Sequence, residues 1–168
     1  KLNLVLIKLT NLGVKGLILD LRNNPGGVLS AVVKTTEHFL DGGLVLYQED
    51  PNSQRNEWHA KKGGPGTSIP MVVLINGGSA SGSEVLAGAL SDHDRAILIG
   101  EKTFGKGSVN TLYQLSDGSG LYFTTGRWFT PDGNIIEGKG LNPDIEVIQS
   151  TDGSDIQLDR AIEILDSK

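Results

Sequence analysis

Three serines alternate with small residues in Gly77-Gly78-Ser79-Ala80-Ser81-Gly82-Ser83-Glu84, directly after the apolar run Met71 to Ile75 and before Val85, Leu86, Ala89 and Leu90. A junction of this kind puts a serine hydroxyl at a helix N-terminus, where unpaired N–H groups and the positive end of the helix dipole stabilise developing negative charge. Nucleophilic attack is one chemistry open to it. The other reading is local: the serines are N-caps, and Ser81 and Glu84 form a capping box. The elbow pattern G-x-S-x-G is not met around Ser81, because Ser79 and Ser83 hold the glycine positions.

A serine nucleophile needs a base, and histidine is the usual one. His38 falls near the end of an expected helix, His59 in a polar stretch, and His93 in the turn Ser91-Asp92-His93-Asp94. None is placed for a triad, and no histidine pair has metal-ligand spacing. The second segment with chemistry is Gly100-Glu101-Lys102-Thr103-Phe104-Gly105-Lys106-Gly107-Ser108. It nearly matches a phosphate-binding loop, but Gly107 stands where Ser or Thr would bind magnesium, and the strand-like Val109 to Leu115 follows in place of a helix.

Lys106 has a different use. Between Phe104 and Val109 it could be desolvated and lose its proton, giving serine a neutral amine as base. Lowering a lysine pKa from ~10.4 to ~7 corresponds to about 4.6 kcal/mol, which a dry pocket supplies and a water-exposed surface does not. Burial of Lys106 is therefore the structural question that decides this chemistry.

The elements that must carry these groups alternate. Leu2 to Leu12 reads as a helix ending near Gly13, and Gly16 to Leu21 as a buried strand running into Asn23-Asn24-Pro25-Gly26-Gly27. A helix is expected over Leu29 to Leu40, with Leu29, Val32, Val33, Thr36 and Leu40 on one side, then a strand over Leu44 to Tyr47. Gln48 to Ser68 reads as a polar stretch with an exposed loop at its tip. Further strands fall at Met71 to Ile75 and Ala96 to Ile99, with a helix from about Ser81 to Leu90 between them. Val109 to Leu115 and Leu121 to Gly126 form a hairpin, and a helix over Ser154 to Leu165 is expected to turn Ile156, Leu158, Ile162 and Leu165 inward. The pattern is α/β, in which catalytic groups gather at the ends of buried strands.

Composition narrows the rest. The 168 residues fit one domain with a real core. Their 23 glycines are about twice the usual ~7%. A net charge of -5, with no basic run longer than Lys61-Lys62, argues against nucleic acid as a partner. With no cysteine there is no disulfide, thiol catalysis or Cys-ligated metal. No apolar run approaches the ~18 residues of a membrane span. The start at Lys1 suggests a processed product or an excised piece.

Taken in order, GLILDLRNNPGG (Gly16 to Gly27), GSASGSEVLAGAL (Gly78 to Leu90) and GEKTFGKGSVN (Gly100 to Asn110) resemble the carboxy-terminal processing proteases, also called tail-specific proteases or peptidase family S41. The resemblance runs from about Gly16 to Asp144, where GKGLNPD (Gly138 to Asp144) is similar to the family's closing motif. It implies a Clp protease/crotonase-like α/β core of strand-turn-helix units with a C-terminal hairpin and helix, forming a single serine protease core domain over residues 1–168. By matching positions it implies Ser81 as nucleophile, Lys106 as base, and Gly82 with Gly26 or Gly27 as oxyanion donors; Lys102 is the decoy lysine.

The chain departs from the family at two site positions. Gly82 stands where Ala is typical, which adds backbone freedom beside the nucleophile. Asn110 stands where Gln usually helps position the base, one methylene shorter. Asp92 matches a carboxylate of some members and equally suits a turn cap. No segment resembles the PDZ domain that family members carry upstream. The implied function is serine endopeptidase action on the C-terminal tails of polypeptides through a Ser/Lys dyad and an acyl-enzyme. No cofactor or metal is implied, and the setting would be periplasmic, cell-envelope or thylakoid-lumenal. A catalytically impaired peptide-binding or scaffold module of the same fold is the alternative. An acyl-CoA enzyme of the crotonase class is a more distant one, since it has no use for the Ser81/Lys106 spacing.

Overall fold

A computed structural model describes residues 1–167. Two four-stranded sheets organise the chain. The first is parallel, in the order β1-β4-β5-β8, from β1 (Leu17–Asp20), β4 (Met71–Ile75), β5 (Ile97–Gly100) and β8 (Ile145–Glu146). The second is antiparallel, in the order β3-β2-β7-β6, from β2 (Gly43–Glu49), β3 (Arg55–Ala60), β6 (Ser108–Gln114) and β7 (Gly120–Phe129).

Every residue of Met71–Ile75 is buried because β4 lies between β1 and β5 with both faces covered, as the unbroken apolar run requires. On one face its Met71, Val73 and Ile75 pack with α2 (Leu29–Thr36), α3 (Gly82–Asp92) and Val45 and Leu46 of β2. On the other, Val72 and Leu74 meet Ala161 and Leu165 of α4 (Ile156–Asp166). The helix α3 is buried continuously from Gly82 to Leu90, which suits a helix of small and aliphatic residues between layers. A further helix, α1 (Leu2–Asn11), precedes β1 and buries Leu6.

Two expectations about helices need correction, and two strands, β3 and β8, lie outside the expected pattern. The stretch from Gln48 to Ser68 is not wholly loop, since β3 pairs with β2 there. Only Trp58 and Ala60 of β3 turn inward, so an edge strand with one apolar pair lacks a visible alternation. The second helix stops at Thr36, with Phe39 and Leu40 still buried beyond it. The last helix turns Gln157, Ala161 and Leu165 inward and leaves Ile156 and Ile162 exposed. Gln157 sets that rotation: its Nε2 donates to Val147 O at 2.7 Å and its Oε1 accepts from Arg22 Nη1 at 3.1 Å. The strand β8 carries too little pattern to be expected from two residues.

Candidate active site

Three loops leave the C-terminal ends of β1, β4 and β5 and meet at the N-terminus of α3. Ser81 is the N-cap of α3, at φ 55° and ψ -117°, a conformation that non-glycine residues rarely adopt. Strain of this kind persists only where surroundings over-determine it, and it concentrates at functional positions. The surroundings are visible. Ser79 Oγ donates to Leu21 O at 2.7 Å and accepts from Asn76 N–H at 3.0 Å, while Ser83 Oγ donates to Asn24 O at 3.0 Å. Ala80 N–H also donates to Asn24 O at 3.0 Å. The outer two serines thus lock the β1 loop to the β4 loop, leaving Ser81 between them.

The β1 loop is shaped by Asn24, whose Oδ1 accepts from Gly26 N–H at 2.9 Å. Gly26 has φ 91°, and a Cβ there would lie 2.5 Å from Gly82 N and 2.6 Å from Ala80 O, so only glycine admits this approach. Gly27 follows immediately. Among the described residues neither Gly27 N–H nor Gly82 N–H donates a hydrogen bond. A Cβ on Gly82 would lie 2.5 Å from Val32 Cγ2 and 3.1 Å from Gly27 N. Gly82 is therefore held by packing, and the extra backbone freedom expected of it is taken up by α2.

The loop after β5 is tied to the same point by Glu84, which is 0% exposed. Its Oε1 accepts from Thr103 Oγ1 and Gly105 N–H, both at 2.6 Å, and its Oε2 accepts from Lys106 N–H at 2.8 Å and Ser81 N–H at 2.9 Å. Of the capping box weighed from the sequence, the Glu84 side chain accepting from Ser81 N–H is present, while Glu84 N–H donates to Ser81 O and not to Ser81 Oγ, and the carboxylate does more than close a helix end. One carboxylate sets the backbones of Ser81 and Lys106 against each other, a role that spacing alone did not reveal. The signal was S-x-x-E followed by a glycine-flanked lysine.

The closing segment braces the outside. Thr103 N–H donates to Leu141 O, Leu141 N–H to Thr103 Oγ1, Gly138 N–H to Gly105 O, and Gly107 N–H to Glu137 Oε2. Asp92 Oδ2 accepts from Asp132 N–H at 2.8 Å, the turn-bracing role. Lys102 is exposed.

Lys106 is exposed, and Phe104 beside it is 68% exposed, so these residues alone do not make a dry pocket. No hydrogen bond joins Ser81 Oγ to Lys106 Nζ or Lys106 to Asn110. Asn110 turns into the hairpin, with Oδ1 accepting from Thr124 Oγ1 at 2.8 Å and Nδ2 donating to Ser108 Oγ at 3.3 Å. Register explains this, since Asn110 and Thr124 are directly paired across β6 and β7.

Arg22 secures the β1 loop from the side of α4. It is bidentate to Asp20, at 3.0 and 2.7 Å, and to Asp155, the N-cap of α4, at 2.7 and 2.8 Å. The Arg22 side-chain hydrogen bond holds the Asp155 carboxyl below its ordinary range. At Asp20 burial pushes upward, but hydrogen bonds from Arg22 overcome it and the net shift is downward.

Parallel strands ending in glycine loops bring a strained serine to a buried helix N-terminus on an α/β core, an arrangement that suits serine-hydrolase chemistry. The sequence profile of peptidase family S41 matches residues 1–147, and the chain belongs to that family. It is 41% identical over 160 residues to the carboxyl-terminal-processing protease of a Synechocystis species, covering 91% of this chain and 37% of that protein. It is 46% identical over 137 residues to the carboxy-terminal-processing protease of Bartonella bacilliformis, covering 81% of this chain and 32% of that one. The solved photosystem II D1 C-terminal processing protease superposes with a TM-score of 0.82 at 42% identity, over 84% of this chain and 37% of that chain. The tricorn protease shares the fold at a TM-score of 0.61 and 20% identity, covering 91% of this chain and 15% of that one. The chain spans about a third of the length of the curated relatives cited.

Proposed function

We propose that the chain is the catalytic core of a serine endopeptidase that cleaves polypeptides near their C-termini through an acyl-enzyme. The observation that carries this reading is the shared Glu84 oxygen, which sets Ser81 and the Lys106 loop around one point. Ser81 Oγ attacks the scissile carbonyl, and Lys106 Nζ, as the free amine, takes the hydroxyl proton and passes it to the leaving amine. Gly27 N–H and Gly82 N–H donate to the developing oxyanion, helped by the α3 dipole. Gly26 acts as the seat that brings them together, because its own N–H is engaged by Asn24. Water is displaced from Lys106 by the bound polypeptide or by further protein laid over Phe104.

Its partners would be polypeptide tails, as the names of the carboxyl-terminal-processing relatives indicate for those proteins. A relative from Tetradesmus obliquus, 43% identical over 140 residues, is named as chloroplastic, in keeping with a lumenal or cell-envelope setting. Among the described residues no helix is long and apolar enough to cross a membrane.

The exposed Lys106 and the engaged Asn110 favour a second reading, a peptide-binding module without turnover. Labelling by a fluorophosphonate separates the two. Covalent capture of Ser81, abolished in Ser81→Ala and in Lys106→Ala, together with peptide hydrolysis that both variants lack, supports the peptidase. Peptide binding without labelling supports the module. Lys106→Arg is expected to be inactive as well, since a guanidinium stays protonated.

A further inference from the structure

The backbone N–H groups of Gly105, Lys106 and Gly107 each end on a carboxylate oxygen. The first two go to Glu84, at 2.6 and 2.8 Å, and the last goes to Glu137 Oε2 at 2.6 Å. Glu84 reaches the loop from α3 and Glu137 from the closing segment after β7, so one anchor precedes the Lys106 Cα along the chain and the other follows it.

The peptide plane between Lys106 and Gly107 depends on the second anchor. Lys106 O accepts no hydrogen bond among the described residues, which leaves the bond from Gly107 N–H to Glu137 to fix that plane. Glycines on both sides of Lys106 set no side-chain limit on its rotation, so order has to come from hydrogen bonds. They are glycines because space requires it: a Cβ on Gly107 would lie 2.6 Å from Glu137 N, and one on Gly105 3.0 Å from Gly140 N. A freed plane lets the Lys106 Cα–Cβ bond tilt, and the tilt grows along the side chain to Nζ. Glu137 is itself well placed to prevent this. Ile136 beside it is 0% exposed and donates its N–H to Trp128 O at 3.2 Å, while Trp128 N–H donates to Gly107 O at 2.8 Å.

We propose that Glu137 is a positioning residue for the general base: it fixes the Lys106–Gly107 peptide plane, and through that plane where Nζ stands relative to Ser81 Oγ. The proposal rests on the peptidase reading and adds a residue to its machinery. What the site takes from Glu137 is an accepting oxygen at one place, and its negative charge is incidental.

Steady-state hydrolysis of fluorescein-labelled casein by the full chain tests this, with competent sites counted by fluorophosphonate labelling of Ser81 carried to completion. Glu137→Asp keeps the charge but draws the oxygen back by one methylene; kcat per labelled site is expected to fall roughly tenfold or more while KM stays within about twofold. Glu137→Gln lacks the charge but keeps a carbonyl oxygen within reach of Gly107 N–H, and is expected to recover kcat to within about threefold of the unaltered chain. A role confined to folding lowers the labelled fraction and leaves kcat per labelled site unchanged. Undiminished kcat per site in Glu137→Asp, a change in KM alone, or a Glu137→Gln protein no better than Glu137→Asp overturns the proposal, while turnover by the unaltered chain leaves the peptidase reading standing. An unaltered chain that neither labels nor hydrolyses overturns that reading, and the role of Glu137 falls with it.

Discussion

Ser81 and Lys106 donate their backbone N–H groups to the same oxygen, Glu84 Oε2, at 2.9 and 2.8 Å. Their relative position is therefore set by main chain and one buried carboxylate. The side chains are free to move for chemistry.

Glu84→Gln replaces an accepting oxygen by an NH2 group that faces N–H and hydroxyl donors. Breaking this buried network is expected to cost about 2 to 3 kcal/mol of stability. Misplacing the reacting groups is expected to lower peptide hydrolysis roughly 100-fold. Urea unfolding and hydrolysis rates measured on the same preparation check both, and a fully active Glu84→Gln protein contradicts the assignment.

The three serines separate by function. Ser79→Ala and Ser83→Ala each remove a hydrogen bond that ties the β1 loop to the β4 loop, so each is expected to lose about 1 kcal/mol and retain labelling of Ser81. Ser81→Ala is expected to keep its stability and lose labelling entirely. Mass spectrometry of the labelled peptide identifies the modified residue directly.

Gly82→Ala places a Cβ 2.5 Å from Val32 Cγ2 and 3.1 Å from Gly27 N. Turnover is expected to fall roughly tenfold or more as the two proposed oxyanion donors are pushed apart. Adding Val32→Ala vacates the contested space, and recovery of turnover in the double variant distinguishes crowding from lost backbone freedom.

The Arg22 clamp makes loop order depend on pH. Asp20 and Asp155 have folded pKa values below their ordinary ones, so the stability they contribute is complete above the unfolded carboxyl value of ~3.9. It is lost as pH falls through the lower folded values. Asp155→Asn is expected to be less stable than the unaltered chain at pH 7, with the gap narrowing towards pH 3. Thermal melts across that range give the answer, and a gap that widens on acidification contradicts the clamp.

Much of the site was legible along the chain because its parts are local. Met71 to Ile75 matched the observed strand to the residue, since an unbroken apolar run flanked by turn residues has few other uses. The glycine excess resolved into turns, with Gly26 at φ 91° against the backbone of Gly82. Ser81, Lys106 and the glycines could be picked out because each lies in a short motif after a strand.

What chain order alone settled was the α/β pattern, the family, and the residue types available for chemistry. Tertiary structure decided how they are used. It assigned Ser79 and Ser83 to holding loops, spent the Gly26 N–H on Asn24, and made Glu84 a bridge where the sequence offered a cap. It also turned Asn110 to Thr124 and left Lys106 exposed. The reason is physical: motif spacing encodes local backbone geometry. Desolvation and hydrogen-bond partnership depend on atoms brought together from distant parts of the chain.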